Sequence, residues 1–277
     1  MHTRLSLFGA ISERHMFYLC CRATLSVKYF RYIALRIAVC TTSFLYTFYV
    51  LCNFTYFLSK PIEYDSSVLQ QEESLVLKTL WILLINASLL SAFILQHSVM
   101  ASDSVKDFYY KFNIEDIERS VYNASSAAVL HILVSEWQPL PWASIWNFST
   151  SENSKLWFLI SAFHVIGWCI VYSGCVMMDI SELAGIKQVY YKMSGRPRPM
   201  AVKSRELQRY FMHMRHPSFT GFLLVLWIYP LMSLDRLLLA SLLTMYMIMM
   251  WTIDQDDYNY HSIVIARKQR ELSNKIY

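Results

Sequence analysis

Two polar clusters stand out in an otherwise apolar chain. Arg215-His216-Pro217 sets a permanent cation and an imidazole beside a proline. Further on, Asp254, Asp256 and Asp257 are followed by Tyr258, Tyr260 and His261. Asp254, Asp257, Tyr258 and His261 stand at i, i+3, i+4 and i+7, which is one face of a helix. Opposite charges brought together in a half-wet zone attract. Such a set either binds a zwitterionic ligand or forms a structural ion-pair cluster. Gln188, Tyr190 and Tyr191 precede a strongly basic stretch. They read either as a wall of the same pocket or as one side of an amphipathic interfacial helix.

Other reactive side chains carry less. His97, His131 and His164 are spread over different depths of the apolar runs, so they do not predict a metal site. Each is expected to hydrogen-bond a neighbouring helix. The six cysteines contain no CxxC pair, and four of them fall in apolar runs, which argues against a zinc site or a disulfide framework. Cys20-Cys21 lies among basic residues and reads as a palmitoylation site or as two ordinary thiols. Met245, Met247, Met249 and Met250 read as soft packing.

The elements that must position these residues follow from composition. The chain has 277 residues, 55% apolar and 16% charged. Soluble domains carry about 25% charged residues, so this chain has too little charge to coat a soluble globule. The same apolar content excludes disorder. The net charge of +5 does not form one patch, and specific nucleic-acid recognition is not expected. The class implied is an all-α polytopic transmembrane bundle.

A spanning helix needs about 20 mostly apolar residues, because the backbone must satisfy itself in hydrocarbon. Charge-poor stretches of that kind predict six spans, at about 37–59, 79–100, 120–135, 156–178, 217–234 and 237–253. The last two are parted only by Asp235-Arg236 and predict a helical hairpin. The basic residues test this division. Six precede the first span, three lie between spans two and three, eight between spans four and five, and four in the tail, 21 of the 25 on one side. Lys60, Lys78, Lys155 and Arg236 fall on the other. The positive-inside rule then puts both termini in the cytosol or nucleoplasm. A hairpin returns to the side it left, so both polar clusters should meet at that interface.

Residues 1–35 predict a basic, partly helical extension near the membrane surface, attracted by anionic lipid. Residues 36–277 form the single six-span domain. Trp137, Trp142 and Trp146, with Pro139 and Pro141, mark a loop at the opposite interface. Asn147-Phe148-Ser149 there is a glycosylation sequon. The bilayer is the first partner implied. The basic loops could also touch nuclear lamina or chromatin, although orientation alone accounts for their charge.

The run Arg215-His216-Pro217-Ser218-Phe219-Thr220-Gly221, a hairpin, and then Asp256-Asp257 resembles the isoprenylcysteine carboxyl methyltransferase superfamily. There, Glu-Glu stands in place of the two aspartates. A closer resemblance, over most of the chain after residue 78, is to the nurim family, multipass proteins of the inner nuclear membrane within that superfamily. It rests on Gln96-His97-Ser98-Val99-Met100, Trp137-Gln138-Pro139, Glu182-Leu183, Gly185 through Tyr191, Lys203-Ser204, Leu226-Trp227, Asp235 through Ala240, Leu242-Leu243-Thr244, Tyr246 and Asp254-Gln255.

The resemblance implies a methyltransferase-like membrane fold. It also implies a place for S-adenosylmethionine built from Arg215, His216, Asp256 and Asp257 with Gln188 and Tyr190, if the pocket is retained. Departures from the enzymes weigh against catalysis. Lys203 stands at their histidine, Arg209 at a glycine that lets backbone approach the cofactor, and Phe211 at a tyrosine. The expectation is a non-catalytic anchor or ligand binder of the inner nuclear membrane, with no catalytic residue, cofactor or metal assigned. The alternatives are an S-adenosylmethionine-dependent methyltransferase of a membrane-embedded substrate and, third, a lipid or sterol carrier.

Overall fold

Long uncharged runs have one way to satisfy their backbone in lipid, and the computed structural model is accordingly almost entirely helical. It describes residues 3–60, 72–148, 153–204, 207–208, 218–250 and 255–273, with side chains from residue 31 onward except 72–74 and 255–257. The helices are α1 (Thr3–Ser59), α2 (Glu72–Met100), α3 (Asp103–Lys111), α4 (Glu118–Glu136), α5 (Ser154–Met177), α6 (Ile180–Leu183), α7 (Ile186–Met193), α8 (Phe219–Trp227), α9 (Leu234–Met249) and α10 (Gln255–Ser273). Among the described residues, Arg31–Ser59, Leu75–Met100 and Ser154–Met177 are long and apolar enough to cross a membrane. These three carry the expected spans 37–59, 79–100 and 156–178; the expected span 120–135 falls on α4, and residues 237–249 of the last fall on α9.

The basic extension is continuous with the first span. α1 runs unbroken for 57 residues, through residues 3–35 and into the first expected span.

The expected terminal hairpin takes a different form. Of residues 218–233, nine are helical, in α8. That is about 14 Å of helix, half a bilayer. The break falls at Ile228-Tyr229-Pro230, not at Asp235-Arg236. Pro230 has no N–H to continue a helix. The chain then forms strand β2 (Leu231–Ser233), which pairs antiparallel with β1 (Ser144–Asn147). Phe148 N donates to Pro230 O at 2.9 Å and Leu234 N to Ala143 O at 2.8 Å, which closes the ribbon. Asp235 and Arg236, expected as an exposed turn, lie in the first turn of α9 with 2% and 4% of their surface exposed.

Helix α4 packs along α1 and α2, and α5 packs along α8. The α5–α8 contact depends on glycine. A Cβ on Gly221 would lie 2.5 Å from Gly167 O, and one on Gly167 would lie 2.9 Å from Gly221 O. Small residues of this kind let helix backbones approach in a membrane, where lipid supplies no hydrophobic drive for association. The buried core joins Phe54, Leu58, Leu90, Leu133, Leu226 and Leu239 between these helices.

The Trp-rich loop is tied down by polar groups. Trp137 Nε1 donates to Asp235 Oδ2 at 3.0 Å and Leu140 N to Asp235 Oδ1 at 3.1 Å. Asn86, fully buried, donates to Gln138 O and accepts from Gln138 N. Trp142 Nε1 donates to Thr79, and Trp146 Nε1 to Tyr229 O. The three tryptophans expected at an interface therefore also act as hydrogen-bond ties. Arg236 donates to Leu58 O at 2.9 Å and lies over the Tyr229 ring at 3.2 Å from its centroid.

Candidate functional site

The opposite, basic end of the bundle holds the hollow space. Its frame is an ion-pair and hydrogen-bond network between α1, α4 and the α6–α7 segment. Arg36, at the start of the first apolar run, forms a buried pair with Asp116, and its other nitrogen donates to Asn113 O at 3.1 Å. Ser43 Oγ donates to Ser120 O at 2.5 Å. Asn123 Nδ2 donates to Leu183 O at 2.7 Å.

Gly185 makes this joint possible. Its φ is +85°, and a Cβ there would lie 2.5 Å from Ser120 Oγ and 2.9 Å from Ser120 N. A left-handed residue without a side chain lets the α6–α7 corner rest on α4.

Glu182 is the electrostatic hub. Its Oε2 lies 2.7 Å from Lys203 Nζ and 4.0 Å from Lys187 Nζ, with 11% of the side chain exposed. Gln188 Nε2 donates to its backbone carbonyl at 3.0 Å. Asp179 accepts from Ser181 N at 3.0 Å, capping α6, and pairs with Lys187 at 2.7 Å. Lys187 and Ser181 hold the Asp179 carboxyl down at about 2, and the same contact raises Lys187. Lys192 pairs with Glu115 at 2.5 Å. Burial works against the charge on Glu115, but Lys192 outweighs it and the carboxyl sits below its ordinary range.

Two adjoining hollows open here and share Glu118, Arg119, Met178 and Leu183. The larger, about 730 Å³, lies among α2, α4, α5, α8 and α9. Its walls mix apolar residues, including Met100, Cys175, Met178, Phe222 and Met250, with the charged Asp103, Lys106, Glu118 and Arg119 and a set of polar residues. Tyr122 Oη stands 2.7 Å from His97 Nε2, and Ser98 Oγ lies 3.2 Å from Tyr246 Oη. The smaller, about 360 Å³, is charged and is bordered by Glu115, Arg119, Gln188, Tyr191, Arg196 and Arg198 among others.

The site residues expected from sequence are distributed as follows. Arg215, His216 and Asp254 lie outside the described residues, as do Arg209 and Phe211. Asp256 and Asp257 belong to α10 by backbone, with side chains outside the description. Ser218, two residues after His216, and Met250, four residues before Asp254, both line the larger hollow. Gln188 borders the smaller one, whereas Tyr190 is exposed, 5.7 Å from the Arg196 guanidinium.

The three histidines each meet a neighbouring helix, as expected. His97 meets Tyr122, His131 lies 3.2 Å from Tyr46 Oη, and His164 lies 2.9 Å from Ser59 Oγ. Among the described residues no three His, Cys, Asp or Glu side chains gather as a metal cluster. The sequence named Glu182 and Lys203 only through the resemblance, without pairing them, and gave no pairing for Arg36 and Asp116. A signal for the second pair was present, an arginine at the very edge of an apolar run.

Apolar helices of membrane-crossing length, closed at one end by a ribbon and hollow at the other, define a helical integral membrane protein. No family model matches the chain, and no solved structure does. Curated relatives do. The Nurim homolog of Drosophila pseudoobscura pseudoobscura is 36% identical over 235 residues, 83% of this chain and 93% of that one. The Nurim homolog of Drosophila melanogaster is 34% identical over 238 residues, covering 84% and 94%. Nurim of Homo sapiens is 36% identical over 205 residues, covering 73% and 76%. The chain belongs to the nurim family.

Proposed function

We propose that the protein is a multipass protein of the inner nuclear membrane that works without catalysis, as an anchor or ligand binder, through the hollow end of its bundle. The observation that carries this reading is the Glu182–Lys203 pair. Lys203 stands where the resembling methyltransferases have a histidine, and here it is engaged at 2.7 Å by a buried carboxylate. A side chain fixed in that way serves architecture. The bias of 21 basic residues in 25 to one side supports a cytosolic or nucleoplasmic position for both termini and for the hollows. Basic loops at that face then stand where lamina or chromatin would meet them. Kinship with the nurim family supports the nuclear location.

The second reading is an S-adenosylmethionine-dependent methyltransferase of a membrane-embedded substrate. One observation favours it: Ser218, two residues after His216, and Met250, four residues before Asp254, border one hollow of about 730 Å³. Binding pockets for small molecules and cofactors span about 300–1,000 Å³. Gln188 borders the adjoining cleft. In this reading Arg215 and His216 hold the cofactor's carboxylate, and Asp256 and Asp257 balance positive charge. A carrier of lipid or sterol would use the apolar wall alone.

Calorimetry separates these readings. The full chain in detergent is titrated with S-adenosylmethionine, beside Arg215→Ala and Asp257→Asn. No heat at millimolar ligand supports the anchor. Saturable heat lost in both variants overturns it in favour of the enzyme. Immunogold labelling of a tagged chain tests the location, and label confined to the peripheral endoplasmic reticulum would overturn it.

A further inference from the structure

The smaller cleft carries a charge imbalance among the described residues. Four carboxylates border it, and three are already matched: Asp116 by Arg36, Glu115 by Lys192 and Glu182 by Lys203. Glu118 has no ion-pair partner among the described residues. Arg119, Arg196 and Arg198 also border the cleft, and none has a carboxylate within ion-pair distance among the described residues. Three guanidiniums thus face a single unmatched carboxylate.

These arginines are positioned rather than loose. Arg119 Nε donates to Leu183 O at 3.4 Å, and its guanidinium stands 5.4 Å from the Tyr122 ring centroid. Arg198 lies over Tyr110 at 4.2 Å, and Arg196 stands 5.7 Å from both Tyr190 and Tyr191. Stacking on a ring holds the guanidinium plane and leaves its edge N–H groups available. Those edges match the paired oxygens of a phosphate.

The cleft also holds acceptors that a bare anion would leave unused. Gln188 donates through Nε2 to Glu182 O, but its buried Oε1 has no hydrogen-bond partner among the described residues. A buried acceptor left alone costs stability, so it calls for a donor. Glu118 offers a second acceptor on the same wall. Cations for phosphate beside acceptors for hydroxyls describe one ligand chemistry.

We propose that this cleft binds a phosphorylated polyol, such as an inositol phosphate, either free or as the headgroup of a membrane lipid. Arg119, Arg196 and Arg198 take the phosphate oxygens, Glu118 accepts from a ring hydroxyl, and Gln188, whose Oε1 is closed off from solvent in this structure, turns its amide to accept from a second. A cleft of about 360 Å³ is large enough for such a headgroup. The inference uses none of Arg215, His216, Asp256 and Asp257, and it shares only Gln188 and Tyr190 with the methyltransferase reading.

The test uses the full chain in phosphatidylcholine nanodiscs. Titrants are inositol 1,4-bisphosphate, dioctanoyl phosphatidylinositol 4-phosphate and inorganic phosphate. Variants are R196Q/R198Q, the charge-retaining R196K/R198K, Gln188→Ala, and R267Q/R270Q as an equal charge loss in α10. Losing charged hydrogen bonds should weaken polyol-phosphate binding by about tenfold or more in R196Q/R198Q. A smaller loss is expected in R196K/R198K and in Gln188→Ala, and none in R267Q/R270Q. A headgroup that binds as well as the lipid identifies a soluble ligand, and lipid alone identifies a membrane ligand. Either result supports the site. Absence of binding, equal loss in R267Q/R270Q, or inorganic phosphate binding as tightly as the polyol would overturn it.

Discussion

Glu182 Oε2 and Lys203 Nζ meet at 2.7 Å with 11% and 10% of their side chains exposed. The pair joins the α6–α7 corner to the segment that follows the Pro199–Val202 turn. Removing one member of a buried pair strands the other charge, typically at about 3 kcal/mol. Lys203→Ala is therefore expected to lower the thermal midpoint in detergent clearly, because Lys187, at 4.0 Å, compensates poorly. Lys203→Arg should keep most of the stability. Equal midpoints for Lys203→Ala and the parent chain would show that water, not Lys203, satisfies Glu182.

Much of this architecture could be read in advance, and the exceptions share a cause. α1, α2 and α5 announce themselves as charge-free runs, since lipid imposes that pattern on local sequence. Asp235-Arg236 between two apolar runs reads as an exposed turn for the same reason. Its burial depends on Trp137 and Leu140, almost a hundred positions earlier, which no local pattern discloses. Gln188 was legible as one of the polar residues that precede the basic loop. Glu182 was legible as a motif member and Lys203 as the residue at the enzymes' histidine, but not as a pair, because pairing across a fold is invisible to spacing. The left-handed turn at Gly185 likewise needs Ser120 to explain it.

Gly185→Ala tests that joint. The substitution adds strain at φ +85° and places a methyl 2.5 Å from Ser120 Oγ. Left-handed backbone alone costs an alanine about 1 kcal/mol, and the contact adds to it. Removing the hydroxyl as well, in G185A/S120A, should recover only part of the loss, because Ser120 N remains 2.9 Å away. Full recovery would mean that the side-chain contact is the whole penalty.

The Asp179 cap gives a pH signature. Its carboxyl is held at about 2 in the folded chain, against about 3.9 when unfolded. A lowered value stabilises the fold above the unfolded value, and that contribution fades as pH falls from about 4 toward about 2. Lys187 has the opposite sign. Its raised value contributes below its ordinary range and is lost only at strongly alkaline pH. The protection of Ser181 N, its observed hydrogen exchange compared with the intrinsic rate at the same pH, should fall on acidification more than protection in the core does. Asp179→Asn should flatten that dependence, and an unchanged profile would refute the cap.

At the ribbon end, Asp235 is the keystone to be tested. Its two oxygens accept from Trp137 Nε1 and Leu140 N, and both of those residues are buried. Asp235→Ala leaves two donors without an acceptor, at roughly 1–3 kcal/mol each. Asp235→Asn keeps one acceptor oxygen but turns an amide toward the other donor, so it should fall between alanine and the parent. Asn86 holds the same loop through Gln138 by an independent pair of hydrogen bonds. If each tie acts alone, Asn86→Ala and Asp235→Ala add in the double variant. If either loss releases the loop, the double variant is little worse than the worse single one. Tryptophan emission supplies the second readout: release of the loop shifts it to the red, whereas a blue, unshifted spectrum with reduced stability places the damage in α9 itself.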